Sequence, residues 1–397
     1  MTFETVTLGD ISINGKGSYG IAASAVPYSD NLHTYLRITD INDNGTLNKQ
    51  SLMSVDNENA EKYILKPNDI VFARTGGSTG RNYFYDGRDG KFVYAGFLIK
   101  FSIDENMVNP KFIKYYCLSD EYKGWVRSFN TGSTRGNINA QTYANMPIKL
   151  PSRTQQDLLV RTLSVLDDKI ELNNKINENL EQQAQAFFTD LFITNAKLEW
   201  KTGTVSDLGD VVGGGTPSKK VEEYYTNDGI AWITPKDLSN DKSKFITHGE
   251  TDITDLGLAK SGATLMPRGS VLFSSRAPIG YIAIADGQVS TNQGFKSIVP
   301  FDNVGTAYVY YFLKENLSAI ENVASGSTFK EVSGGTMKNF PAVIPDDDTL
   351  AKFKQFCSPL LEQQRALEYE NRYLASLRDT LLPKLMNGEI DVSKVKI

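Results

Sequence analysis

Two glycine-bearing loops carry residue types suited to reading nucleic acid. The first is Arg74-Thr75-Gly76-Gly77-Ser78-Thr79-Gly80-Arg81, which follows the strand-like Asp69-Ile70-Val71-Phe72. Its counterpart is Ser274-Ser275-Arg276-Ala277-Pro278-Ile279-Gly280. An arginine fork matches guanine O6 and N7, while hydroxyls and backbone amides match phosphate oxygens. The competing reading is a tight turn with a solvated arginine. A second pair of loops, Thr131-Gly132-Ser133-Thr134-Arg135 and Ser325-Gly326-Ser327-Thr328-Phe329-Lys330, combines small residues with one cation. Ser133, Thr134, Arg135, Ser327, Thr328 and Lys330 fit a phosphate clamp or, equally, a structural turn. Asn292 and Gln293 have the amides to bond adenine bidentately, or to satisfy buried backbone groups. Thr216 and Ser218 precede Lys219 and Lys220, which suit phosphate better than base.

Enzyme-like strings fail on context. Gly76-Gly77-Ser78-Thr79-Gly80 has nucleophile-elbow spacing, but its counterpart carries Pro278 in place of the serine. Gly15-Lys16-Gly17-Ser18-Tyr19-Gly20 matches a dinucleotide fingerprint and runs into Pro27 instead of a long helix. Asn109-Pro110-Lys111-Phe112 faintly echoes an adenine-methyltransferase string, without its second proline or a glycine-rich cofactor strand. Two cysteines, Cys117 and Cys357, and two histidines, His33 and His248, cannot build a zinc cluster. The cysteine count fits a reducing compartment. No window is apolar enough for a membrane helix, and Met1-Thr2-Phe3-Glu4 does not start like a signal peptide. A soluble, cytoplasmic protein without membrane contact is expected.

These loops are set in a repeat. The 397 residues carry a net charge of −5. Residues 1–200 hold 21 basic and 23 acidic side chains, and residues 201–397 hold 21 and 24. Leu8-Gly9-Asp10 recurs as Leu208-Gly209-Asp210, Leu65-Lys66-Pro67 as Leu265-Met266-Pro267, and Gly96-Phe97 as Gly294-Phe295. From Gly132/Gly326 the match continues to Leu191/Leu385. The offset shrinks from 200 to 194, as expected of a diverged duplication with short deletions. Each half opens with about 150 residues rich in β-branched and aromatic side chains and turn formers, so it reads as short strands with a few helices.

Each half closes on one long helix. Ser152 and Gln155 have capping-box spacing. Leu159, Leu163, Leu166, Ile170, Asn173, Asn177, Leu180, Ala184, Phe187 and Leu191 then fall on a narrow heptad-like seam, as do Phe353, Cys357, Leu360, Gln364, Leu367, Asn371, Leu374, Arg378, Leu381 and Leu385. Asn387-Gly388 is the stop signal. Matched lengths, narrow seams and seam asparagines predict that the helices pair as an antiparallel coiled coil. The expected class is α/β (α+β): two pseudo-twofold-related mixed α/β heads separated by two long antiparallel helices. The boundaries are 1–150 and 197–345 for the heads, 151–196 and 346–390 for the helices, and 391–397 for a tail.

The second half also contains Gly213-Gly214-Gly215-Thr216-Pro217-Ser218, Ala231-Trp232-Ile233-Thr234-Pro235-Lys236-Asp237-Leu238 and Ser290-Thr291-Asn292-Gln293-Gly294-Phe295-Lys296. It ends in Leu381-Leu382-Pro383-Lys384-Leu385-Met386-Asn387-Gly388-Glu389. In this order, and with the duplication, the whole chain resembles the specificity subunit of Type I restriction-modification enzymes. The first head departs from the pattern, with Tyr94-Ala95-Gly96-Phe97 in place of Thr-Asn-Gln-Gly-Phe. The resemblance implies a chain with no catalysis and no cofactor of its own. Its two target-recognition domains would each bind half of a split site on double-stranded DNA. Its helices would fix the spacing and dock two modification subunits, which carry S-adenosylmethionine and methylate adenine N6. A separate restriction subunit would add ATP- and magnesium-dependent translocation and cleavage. The alternative is a bivalent coiled-coil adaptor whose heads bind protein or carbohydrate. Net acidity does not oppose DNA binding, because phosphate contacts need local patches only.

Overall fold

The computed structural model describes residues 2–129, 136–276, 278–326 and 330–391, with the side chain of Gln50 left out. The chain forms two compact units. One runs to Lys169 and resumes at Leu374; the other is Ile170–Tyr373. Each unit therefore holds one head and one end of both long helices. Among the described residues no helix is long and apolar enough to cross a membrane.

In the first unit an antiparallel ribbon, Glu4–Thr7 with Pro147–Leu150, closes the head beneath the central helix Arg153–Thr189. Two four-stranded sheets stand on this ribbon. One orders Ser18–Tyr19, Leu98–Ser102, Asp69–Ala73 and Asn82–Tyr85. The other orders Ala25–Val26, Met53–Val55, His33–Leu36 and Phe92–Tyr94, the last pair parallel. Ile70-Val71-Phe72-Ala73 is an unbroken apolar run because both its faces are buried. Phe72 stacks on Tyr143 at 4.7 Å and meets Phe101 edge-on at 6.0 Å. Asn109 caps the helix Pro110–Tyr116, whose aromatic face enters the same core.

The second unit repeats this plan. Lys201–Thr204 pairs with Pro341–Ile344. A five-stranded sheet orders Gly209–Gly213, Lys296–Pro300, Val271–Phe273, Ile282–Ala285 and Phe245–Ile246. A four-stranded sheet ends on the parallel pair Ile230–Ile233 and Val289–Thr291. The edge strand Phe245–Ile246 is an addition relative to the first head.

Backbone hydrogen bonds fix the true register of the repeat and correct the one expected from short motifs. Thr7 N donates to Asp10 Oδ2 and Thr204 N to Asp207 Oδ2, so Asp10 matches Asp207 and not Asp210. Leu65 N bonds Phe92 O and Met266 N bonds Val289 O, so Leu65 matches Met266. Asn68 (φ 72°) thereby falls on Gly269 (φ 89°), both left-handed. Leu98 N bonds Ala95 O and Phe295 N bonds Asn292 O, so Phe295 matches Leu98 and not Phe97. The offset falls and rises along the chain, so insertions or deletions separate the halves at several points. Leu-Gly-Asp and Leu-x-Pro recur out of register because turn chemistry reuses a small alphabet.

In each unit the two helices run antiparallel. In the first, Arg378 pairs with Asp167 at 3.0 Å. In the second, Asn173 Nδ2 donates to Asn371 Oδ1 at 2.9 Å, Gln364 Nε2 to Asn177 O at 3.1 Å, and Phe187 packs on Phe356 at 4.4 Å. The buried stripe keeps part of the expected seam, with Asn173, Phe353, Cys357, Gln364 and Leu385 buried on it, and departs from it elsewhere. Leu159 and Leu163 are buried, but in the core of the first head with Leu382 and Leu385. At the other end Leu180 and Ala184 are buried on the expected seam, and Phe188 and Phe192 continue the line in place of Phe187 and Leu191. Leu166, Ile170, Asn177, Leu360, Leu367, Asn371, Leu374 and Leu381 are only half-buried. A stride of four follows the natural 3.6-residue twist toward a head, whereas a heptad would keep facing a partner helix. The fully buried middle positions are polar, Asn173 and Gln364. Gly388 (φ 80°) ends the C-terminal helix Asp347–Met386 at the expected stop.

Buried ion clusters tie each head to its helix ends. Tyr115 Oη and Lys114 Nζ both donate to Asp167 at 2.8 Å. Burial works to raise the Asp167 carboxyl, but Lys114 and Arg378 outweigh it and hold it below the usual range. In the second unit Glu181 receives Lys244, Lys314 and Tyr311. Burial again opposes ionisation, and Lys244 and Lys314 hold Glu181 down at about 2.

Candidate nucleic-acid interface

In each head the loop that carries the arginine bonds the stretch just after the second predicted loop, although about 60 residues separate the two in the chain. In the first, Ile138 N bonds Arg74 O at 2.9 Å, Thr75 bridges to Asn137, and Thr79 Oγ1 donates to Gly136 O at 2.9 Å. In the second, Val332 N bonds Ser275 O at 2.9 Å and Arg276 bridges to Glu331. In both heads the residues that follow the expected clamp loop thus pair with the residues that carry the cation. Ser133, Thr134, Arg135, Ser327 and Thr328 lie outside the described residues; Lys330 is exposed beside Glu331.

In the second head Arg276 emerges into solvent, held by Glu331 at 2.9 Å, which also takes Lys296 at 3.4 Å. Burial tends to raise the Glu331 carboxyl, and Arg276 with Lys296 overcomes this and keeps it below its ordinary value. Ser274 and Ser275 are corrected: both are fully buried. Ser274 Oγ donates to Pro278 O and receives Tyr281 N, and Ser275 Oγ donates to Gly294 O. Their hydroxyls build the loop that presents Arg276 and have no path to DNA.

Beside this loop lies an open cleft of about 430 Å³. Thr216, Lys219, Asn292 and Gln293, predicted from separate stretches, all line it, together with Trp232 and Lys236. Gln293 is exposed and bonded to Thr216. Asn292 Oδ1 accepts Gly294 N at 2.8 Å, so its carbonyl end is committed to the turn. Ser218 and Lys220 are exposed on the adjoining turn. Lys236 pairs with Glu250 at 2.6 Å across the rim, giving the cleft a cation and an acceptor that sequence reasoning passed over. The floor is Trp232, whose Nε1 donates to Gly215 O at 3.0 Å.

The first head has the same frame with other contents. Tyr35 occupies the register position of Trp232 and donates to Ile21 O at 2.9 Å. Arg37 stands where Thr234 does, but Asp40 occupies its guanidinium at 2.6 Å. Arg81 is similarly committed, to Asp43 at 2.7 Å and to Ile41 O, so it fastens a neighbouring turn. Thr79 is used internally, and Thr75 and Ser78 are partly exposed. Arg74 is half-buried: its guanidinium lies over the Tyr19 ring at 5.0 Å, and its buried Nε has no hydrogen-bond partner. Among the described residues no group of three or more His, Cys, Asp or Glu side chains could hold a metal ion.

Residues 1–182 and 197–368 match the family model described as the Type I restriction modification DNA specificity domain. The MjaIX specificity subunit of Methanocaldococcus jannaschii is 37% identical over 183 residues, 45% of this chain and 42% of that one. The HindI specificity subunit of Haemophilus influenzae is 23% identical over 98% of this chain and 99% of its own. Among solved structures, a Type I restriction-modification S subunit from M. genitalium superposes with a TM-score of 0.54 at 15% identity, covering 97% of this chain and 96% of that one.

Proposed function

The chain belongs to the Type I restriction-modification specificity family, and from that premise we propose that it reads a bipartite DNA site for a methyltransferase complex. The observation that carries this reading is the repeated junction in each head between the loop bearing Arg74 or Arg276 and the segment on the way to the ribbon strand, at Asn137–Ile138 and at Glu331–Val332. Two such junctions on one chain give two readers. Base edges fix sequence, and phosphate contacts fix register. Two weak readers on one chain also gain affinity through effective concentration.

Residues 1–150 and 197–345 act as the two recognition domains, and helices 151–196 and 346–390 set the half-site separation and dock two adenine-N6 methyltransferase subunits. S-adenosylmethionine belongs to those subunits, and ATP with magnesium to a restriction subunit. This chain supplies recognition without catalysis, in the cytoplasm. Within it, Arg74, Arg276, Lys219, Gln293 and Lys330 are the proposed DNA contacts.

The test is methylation mapping in cells carrying this chain with its methyltransferase partner. A split motif methylated only when the chain is present is the expected result. Methylation that is absent, or independent of the chain, refutes the reading.

A further inference from the structure

The corrected register exposes a difference between the heads that motif matching conceals. Tyr19 pairs with Ile99 and Gly213 with Lys296, so Tyr19 matches Gly213. Arg74 N bonds Phe97 O at 3.0 Å, and Ser275 N bonds Gly294 O at 2.7 Å. Arg74 therefore matches Ser275, and Phe97 matches Gly294. At three adjoining positions the first head carries Tyr, Arg and Phe where the second carries Gly, Ser and Gly.

Two of the first set project. Phe97 is 59% exposed and Tyr19 43%, whereas the phenylalanine that motif matching pairs with Phe97, Phe295, is fully buried. Tyr19 is tethered by Ala140 N, which donates to its hydroxyl at 3.1 Å, and it holds the Arg74 guanidinium against its ring. The second head is closed to this device. A Cβ at Gly294 would come within 2.9 Å of Asn292 Oδ1 and 3.1 Å of Pro235 Cγ. The first head has Ala95 at the position of Asn292, which removes that obstacle.

We propose that Phe97 is a specificity determinant of the first head and packs on the 5-methyl group of a thymine in the major groove. Arg74, stacked on Tyr19, addresses the neighbouring base. The inference rests on the DNA-reading function above. The thymine methyl is the apolar feature that the major groove displays, and an exposed phenylalanine beside an oriented arginine complements it. The ring pays little entropy on contact, since it turns about only two torsions.

The test uses the intact methyltransferase complex with wild type, Phe97→Ala and Phe97→Leu. Phe97→Ala lowers the methylation rate about tenfold at the native site and relaxes one position of one half-site. Phe97→Leu retains part of the preference, and the other half-site stays unchanged, which reports a folded subunit. Replacing the thymine at the relaxed position by uracil, which lacks the methyl, slows wild type to the same extent and leaves Phe97→Ala unaffected. An unaltered motif and rate in Phe97→Ala overturns the inference while leaving the bipartite reading intact. So does a relaxed position that is not thymine, or a site indifferent to uracil, the result expected if the ring wedges between base steps. Failure of the wild-type complex to methylate a split motif at all overturns the parent reading instead.

Discussion

Ser275 and Arg276 are adjacent, and the fold gives them opposite work. Ser275 is fully buried, with its hydroxyl on Gly294 O at 3.1 Å. Ser275→Ala should cost about 1 kcal/mol of stability and leave the methylation motif unchanged, as denaturation midpoints and motif mapping would show. Arg276 is exposed and pairs with Glu331, itself shared with Lys296. An arginine parked on a shared carboxylate can exchange it for guanine O6 and N7. Arg276→Ala should therefore weaken methylation at one half-site by roughly 1–3 kcal/mol. An unchanged motif and rate would remove Arg276 from the reading surface. Residue type alone could not separate the two, because burial depends on which side of the strand's exit faces the core. The same limit hid Tyr19 and Phe97: a one-residue slip placed Phe97 on a core phenylalanine, and only the backbone hydrogen bonds at Ala95 and Asn292 reveal the slip.

The strands and long helices were legible because their signals are local. Asp69–Ala73 reads as a buried strand from four consecutive apolar residues, and it is one. The helices declare themselves by capping, periodicity and the Asn387-Gly388 stop. Their seam was less legible, because each helix serves a head at one end and its partner elsewhere, and these two tasks have different periods. Glu181 shows what the arrangement demands. It is a partly buried carboxylate facing Lys244, Lys314 and Tyr311, from the second head, and Gln364, from the partner helix. Removing its charge strands Lys244, which is buried and whose own pKa burial pushes down. Glu181→Gln should lower stability by about 3 kcal/mol. The sign with pH follows from the depressed carboxyl. Its folded pKa of about 2 lies below its ordinary 4.5. The stabilisation is complete above pH 4.5 and drains away as pH falls toward 2, because only the unfolded chain takes up the proton in that window. Denaturation midpoints followed from pH 6 to pH 3 should fall more steeply for wild type than for Glu181→Gln. Parallel profiles would show that the cluster contributes nothing to acid sensitivity.

At the scale of the molecule, the proposed function requires the helices to act as a ruler, and their middle segment is made for that. Asn173 and Asn371 bond each other inside the pair, with Glu370 on the same amide. Polar partners at a seam hold one register at the expense of stability. A ruler can be lengthened. Inserting one heptad into each helix beside Asn173 and Asn371 adds about 10 Å at 1.5 Å per residue, while turning a straight helix only about 20° out of phase. On B-DNA the same 10 Å is about three base pairs, which rotate the groove by roughly 100°. At the parent spacing the second reader would then overshoot its half-site by about three base pairs, and three added base pairs would restore the distance but turn the half-site to the wrong face. The expected outcome is loss of methylation on the parent motif, with neither half-site changed in sequence wherever residual methylation is mapped. Exchanging residues 1–150 for the corresponding head of a related chain should do the reverse, altering one half of the motif at constant spacing. If the lengthened chain methylated its parent motif at the wild-type rate, the separation of half-sites would have to be set by the partner subunits and not by these helices.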